Sequence, residues 1–427
     1  MTTVEQAPGH PEPAPDPDDT DDQPVQKLLR LGAVAAALIA VSVFTGAFPV
    51  VAFVIAVIAI VMIHELGHFI TAKRAGMKVT EYFLGFGPRL WSVRRGETEY
   101  GIKAIPLGGY VKIIGMSNME KDIDPADEPR TFRQGSYPAR MIVLLAGVLS
   151  HFVIAFLLLM LLWTVVGVPN ADKASVASLE LNSPAQQGGF RVGDRLVSVD
   201  GKSGWRTIRT YLRNHPGQAL KFVVDRDGKR ILLTATPAET NPAGERVGFL
   251  GVAPKPTVEK ANPFVGVARS GEMLADMSWL SVKSLASFFS PSSLESYANL
   301  VVGNESKVAP DSATAGLSTN EKRPVSLVGV GRLAGQAAET GAFEVIILLV
   351  LLNVFLGILN VVPLLPLDGG HAAIATYERI RSRRGRRYYA DVQKMMPFTA
   401  AFLALLVVLG MTSIYLDIFN PIANPFR

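Results

Sequence analysis

Apolar residues along the chain gather into five long runs, separated by polar stretches of unlike character. The first covers Leu31 to Phe48 and ends at Pro49; the second runs from Val50 to about Thr71. The third extends from Met141 to about Val168, the fourth from Phe343 to Leu367, and the last from Ala400 to about Tyr415. Each approaches the roughly 20 residues that cross a bilayer as a helix. The pattern therefore predicts a polytopic α-helical membrane protein of about five spans.

Between the runs the pattern changes. Residues 1–26 are rich in Pro and Asp with few large apolar side chains, and are expected to be a disordered acidic tail. Residues 27–48 form the first transmembrane helix and 49–72 the second. Residues 73–138 alternate in short pieces, Leu90–Arg95, Glu97–Ile105 and Gly109–Met116, punctuated by Arg95-Gly96-Glu97 and Gly108-Gly109. They predict a small β-rich element associated with the membrane. A third span occupies 139–168. Residues 169–256 predict a separate α+β domain, with a short helix after Ser183-Pro184, an alternating strand Arg195–Val199 and a turn at Asp200-Gly201. Residues 257–342 read as an amphipathic helix followed by a mobile polar loop. The fourth span covers 343–373, a basic loop 374–395, and the final span 396–417.

Composition narrows the class. Of 427 residues 49 % are hydrophobic and only 19 % charged, too apolar for an ordinary soluble enzyme. The net charge of +5 lies beside the spans and forms no nucleic-acid-binding patch, so the lipid bilayer is an expected partner and nucleic acid is not. With no cysteine, thiolate ligands, thiol catalysis and disulfides are excluded, and any metal must be held by His, Asp or Glu.

The second run carries candidate chemistry. In a helix, His64 and His68 fall one turn apart on one face with Glu65 beside the first. This is the HExxH spacing, in which two imidazoles hold Zn²⁺ and the glutamate takes a proton from water on the metal. Ionisable groups at mid-membrane cost roughly 2.5–3.5 kcal/mol each, so three within five residues call for a reason that a metal supplies. The basic stretches 73–140 and 376–394 fall on one side when the spans are counted, and the positive-inside rule makes that side cytoplasmic. The N-terminus is then cytoplasmic and the 169–256 domain outside. The second and fourth spans run in the same direction, which lets the histidines meet Asp368. That aspartate has two readings: third metal ligand, or cap of the helix that follows it through Gly369-Gly370. His10 and His215 are excluded as ligands by their location.

These residues resemble the site-2 protease family of intramembrane zinc metalloproteases, in particular its bacterial members of the regulator-of-sigma-E-protease type. The resemblance rests on His64-Glu65-xx-His68 within a span, on Asn360 to Gly370 matching NxxPxxxLDG, and on Gly85–Pro88 and Pro106–Met116. The stretch from Asn182 to Ser203 is similar to the PDZ signature, and its place between core spans matches the family. The resemblance implies Zn²⁺ on His64, His68 and Asp368, Glu65 as proton acceptor, and Asn360 binding the substrate backbone or steadying the oxyanion. It also implies single-span membrane proteins as substrates, already trimmed and similar to anti-sigma factors, cut within the cell membrane. The alternative is a catalytically inactive scaffold bearing a PDZ-like domain and a structural metal. Two features depart from the family. The first span is additional, and Ala146–His151 has Val148 and His151 where the family tends to have the Pro and Asn of AGPxxN. His151 has two readings, a polar contact between spans or a partner supporting the metal ligands, and the former is the expectation.

Overall fold

The second apolar run does not stop where its hydrophobicity does. Helix α2 (Phe48–Arg74) continues through the two histidines to Lys73 and Arg74, whose charges suit the carbonyl end of a helix. Pro49, expected to break the first run, instead sits in the first turn of α2, where a missing N–H costs nothing. The break falls at Thr45–Ala47, after α1 (Pro24–Phe44). These elements come from a computed structural model that describes residues 24–116, 120, 122–241, 244–303, 323–382 and 387–422. Residues 1–23 of the expected disordered tail, nearly all of the polar loop after 303 and the arginines at 383–386 lie outside the described residues, while residues 24–26, expected in that tail, already belong to α1.

Among the described residues, five helices are long and apolar enough to cross a membrane: Val25–Phe44, Phe48–Arg74, Tyr137–Val166, Ala342–Val361 and Val392–Phe419. Two compact units divide the chain, residues 1–155 with 274–427, and residues 156–273.

In the first unit, α2 is followed by strands β1 (Val79–Arg95) and β2 (Thr98–Ile113), joined by the tight turn Arg95–Thr98. Both strands fold back on themselves, so Tyr82 faces Val111 on one side and Tyr100 on the other. β1 reverses at Gly85, which has φ +86°, and a Cβ there would stand 2.7 Å from the Ile105 carbonyl oxygen. Only glycine fits that bend. The expected pieces of strand are thus parts of two long bent strands. Met77, Val79, Ile113 and Phe132 pack with Val143 and Leu144 of α3 (Tyr137–Leu161) into one buried cluster.

The region read as one amphipathic helix and a loop contains three helices: α6 (Pro263–Phe288), α7 (Pro291–Val302) and α8 (Leu327–Thr340). Ser290 and Ser326 cap the last two by accepting from Ser293 and Gly329 N–H groups. Small residues hide α8 among apolar helices: its buried positions are Gly329, Ala334 and Ala337. The fourth run is not one helix. α9 (Ala342–Val361) ends before Pro363, residues 362–367 are irregular, and α10 (Asp368–Arg381) begins at the aspartate. Where a basic loop was expected from 374, α10 continues to Arg381 because Ile374, Ala375 and Glu378 recur at helical spacing and are buried. Glu378 forms a buried ion pair with Arg140 of α3 at 2.8 Å. α11 (Met396–Phe419) closes the chain, with Asp417 paired to buried Arg323 at 2.9 Å.

The second unit holds β3 (Val168–Leu179), α4 (Pro184–Gln187), β4 (Arg195–Val199), β5 (Lys202–Ser203), α5 (Trp205–Arg213), β6 (Leu220–Arg226), β7 (Lys229–Ala235) and β8 (Val252–Glu259). The strands form a sheet in the order β7-β6-β4-β3-β8, with β5 on β4. Alternation builds its core: Leu220, Phe222 and Val224 of β6 all point inward against Ile208 and Leu212 of α5. The predicted short helix, strand and Asp200-Gly201 turn all appear, the turn with φ +45° and +78°.

Candidate metal centre

α2 delivers its two histidines as the four-residue spacing requires. Both are buried, and their Nε2 atoms stand 3.2 Å apart. The Nδ1–H of His68 donates to the Val143 carbonyl at 2.8 Å, which leaves its Nε2 as a bare lone pair. Asp368 completes the group, its Oδ2 lying 3.3 Å from His64 Nε2 and 3.2 Å from His68 Nε2. It reaches them because residues 362–367 break the helix. Asp368 is not the cap: Leu367 occupies that position and makes no side-chain cap hydrogen bond.

Among the described residues, His64, His68 and Asp368 are the group of His, Asp and Glu side chains able to hold a metal ion. Three donor atoms at the corners of a near-equilateral triangle fit a small divalent cation. A tetrahedral site with bonds of about 2.0 Å has donor–donor edges of about 3.3 Å. Lone pairs facing one another at this spacing repel unless a proton or a cation lies between them.

Close backbone approaches make the site. At Gly147 of α3, a Cβ would stand 2.3 Å from His68 Nε2 and 2.8 Å from His64 Cε1. Gly67, inside the HELGH stretch, lies against α3 in the same way, with Ala146 O 2.8 Å from its would-be Cβ. Glycines on both helices thus bring α3 against the histidine face. On another side of α2, Gly109 of β2 approaches Glu65, its would-be Cβ 3.4 Å from Glu65 Cγ. Tyr82 fixes that sheet to the helix by donating its hydroxyl to the Met62 carbonyl at 2.8 Å. Glu65 is half-buried between histidine face and sheet.

Asn360 lies in the last turn of α9, half-buried, and its side chain makes no hydrogen bond among the described residues. His151 does contact another span: its Nδ1 lies 3.1 Å from Asn353 Oδ1 of α9, and both residues are fully buried. Its ring also stands 4.8 Å from that of His64. Gly67, Gly147 and Asn353 escaped the sequence reading. A lone amide within the apolar run Leu351–Leu359 was the signal available for Asn353.

A model of peptidase family M50 matches residues 52–407. The zinc metalloprotease Rip1 of Mycolicibacterium smegmatis is 32 % identical over 414 residues, covering 88 % of this chain and 98 % of that one. The zinc metalloprotease RasP of Geobacillus kaustophilus is 24 % identical over 434 residues, covering 84 % and 96 %. A solved PDZ domain of the SdrC-like protein from Listeria innocua is 19 % identical with a TM-score of 0.18, covering 20 % of this chain and 97 % of that one.

Proposed function

Since the chain belongs to peptidase family M50 and is a multi-pass zinc metalloprotease, we propose that it hydrolyses peptide bonds within the membrane segments of single-span proteins. The observation that carries this reading is the triangle of His64 Nε2, His68 Nε2 and Asp368 Oδ2 next to Glu65. These three side chains would hold the zinc, which when bound supplies Lewis-acid activation of water. The Glu65 carboxylate accepts the proton released as water attacks and passes it to the leaving amine. The amide of Asn360, without a hydrogen bond among the described residues, is suited to holding a substrate carbonyl or the oxyanion that forms from it.

A substrate helix hides its carbonyls in hydrogen bonds, so it must be unwound before attack. Residues 109–113 of β2 pair with 79–84 on one side, and no strand covers their other side among the described residues. That edge, passing Glu65 at Gly109, would hold the unwound segment as an added strand. The basic stretches flanking the spans support a cytoplasmic N-terminus and an extracytoplasmic 169–256 domain, which we read as PDZ-like. Such a domain fits substrates trimmed beforehand, in the manner of anti-sigma factors.

The test is cleavage of candidate single-span proteins by purified wild type and Glu65→Gln, side by side. Wild type should cut within the membrane segment. Glu65→Gln should keep its zinc and lose at least about 10²–10⁴-fold in rate, the range general acid–base catalysis supplies. Near-wild-type cleavage by the zinc-loaded variant would sink the mechanism.

A further inference from the structure

The two histidines of α2 are held unequally. His68 has its outer nitrogen fixed, since Nδ1–H donates to the Val143 carbonyl. His64 has not: its Nδ1 is buried and finds no hydrogen-bond partner among the described residues. A ligating imidazole ordinarily donates its second N–H to an acceptor, which sets the tautomer and the ring orientation. A buried N–H left without one bears its desolvation cost uncompensated. The ring standing 4.8 Å from His64, tilted by 35°, is His151.

His151 has a determined tautomer. Asn353 donates its Nδ2–H to the Leu349 carbonyl at 3.1 Å, which orients the amide and turns Oδ1 toward His151. Oδ1 can only accept, so His151 Nδ1 carries the proton of the 3.1 Å contact. In the neutral ring Nε2 then bears a lone pair, free to accept, and no hydrogen bond to it is formed among the described residues. A donor in need of an acceptor and an acceptor free to take one thus lie on adjacent rings of two buried residues.

We propose that His151 is a positioning residue for the metal centre, accepting the Nδ1–H of His64 and so fixing the tautomer that turns His64 Nε2 toward zinc. The relay runs from Asn353 on α9 through His151 on α3 to His64 on α2. Centroids of two imidazoles joined by a linear N–H···N bond lie about 5 Å apart, from a bond length of about 2.9 Å and two ring radii. The observed 4.8 Å therefore asks for ring rotation with little approach. This inference rests on the reading of His64 as a ligand.

Zinc affinity by chelator competition, and the visible spectrum of the Co²⁺-substituted protein, test it in the purified full chain. His151→Phe keeps the ring's bulk and removes the acceptor. It should bind metal 10–100-fold more weakly, the loss typical of a supporting residue, and should shift the Co²⁺ bands. His151→Gln restores an acceptor and should recover part of the affinity. Asn353→Leu, should His151→Phe fail to fold, should produce the same weakening in smaller measure. Wild-type affinity and an unshifted Co²⁺ spectrum in His151→Phe would overturn the relay while leaving the site intact. Full zinc content in His64→Ala would overturn the site reading itself, and the relay with it.

Discussion

Two stretches meet at the candidate metal centre and are built on opposite principles. α2 places His64 and His68 by regular helical periodicity, one turn apart within an unbroken helix. Residues 362–367 place Asp368 by abandoning periodicity, with Pro363 and Pro366 denying the chain a continuous helix. What holds the second arrangement is close packing of backbone on backbone. A Cβ at Gly369 would lie 2.2 Å from the Val361 carbonyl oxygen, and one at Gly370 2.6 Å from the Leu364 carbonyl carbon. A helix can carry two donors alone, but a third from another direction needs a break, and the break must be held.

The strongest way to break the comparison is to remove what the irregular stretch delivers. Asp368→Ala should lower zinc affinity by more than about 100-fold, beyond what losing a supporting residue costs. The helices should persist. Metal analysis and circular dichroism of the purified variant check both, and full occupancy would remove Asp368 from the ligand set.

Gly369→Ala attacks the scaffold of the break instead. The new methyl has only main chain to push against, so we expect about 1–3 kcal/mol of destabilisation with zinc loss following as Asp368 moves. Gly67→Ala is the matched change on the regular side. Its would-be Cβ meets Ala146 O at 2.8 Å, on a neighbouring helix that can shift as a body. It should cost less than Gly369→Ala in thermal unfolding of the same preparation, and the reverse order would refute the contrast.

The smallest effect lies at the far end of α2. Glu97 receives Lys73 at 2.6 Å and Arg130 at 2.8 Å, and these cations, Arg130 foremost, hold its carboxyl at about 2. A carboxyl held below its unfolded value stabilises the fold above about pH 4.5 and loses that contribution as pH falls toward about 2. For a partly exposed cluster this amounts to about 0.2–1 kcal/mol. Glu97→Gln should therefore lower the melting temperature slightly at pH 7, and the gap from wild type should shrink on acidification to pH 3.

The same contrast explains what could be read from the sequence. HELGH is legible because periodicity is local: four residues of spacing fix two side chains on one face. Asp368 was legible one step removed, through the count of spans and the prolines before it. Asn353 and Gly147 were not, because their meaning lies in another helix; Gly147 is one small residue among many until His68 is seen against it. α7 and α8 were hidden for a different reason. Their Ser, Gly and Ala content mimics a loop, whereas in α8 those residues let the helix pack closely among its neighbours. The bent strands were read only as fragments, since the reversal at Gly85 depends on how near Ile105 comes.

Beginning α10 at Asp368 has an electrostatic consequence. A helix of 14 residues carries the equivalent of about half a positive charge at its amino end, and here that end lies at the carboxylate that joins the histidines. The field favours negative charge at this position by about 0.3–1 kcal/mol, and up to about 2 where water is scarce. Arg140, paired with Glu378 nearly three turns further along, leaves the opposite end of the helix no net anion to cancel it. The broken segment therefore supplies more than reach: it turns a backbone dipole onto the one carboxylate of the candidate site.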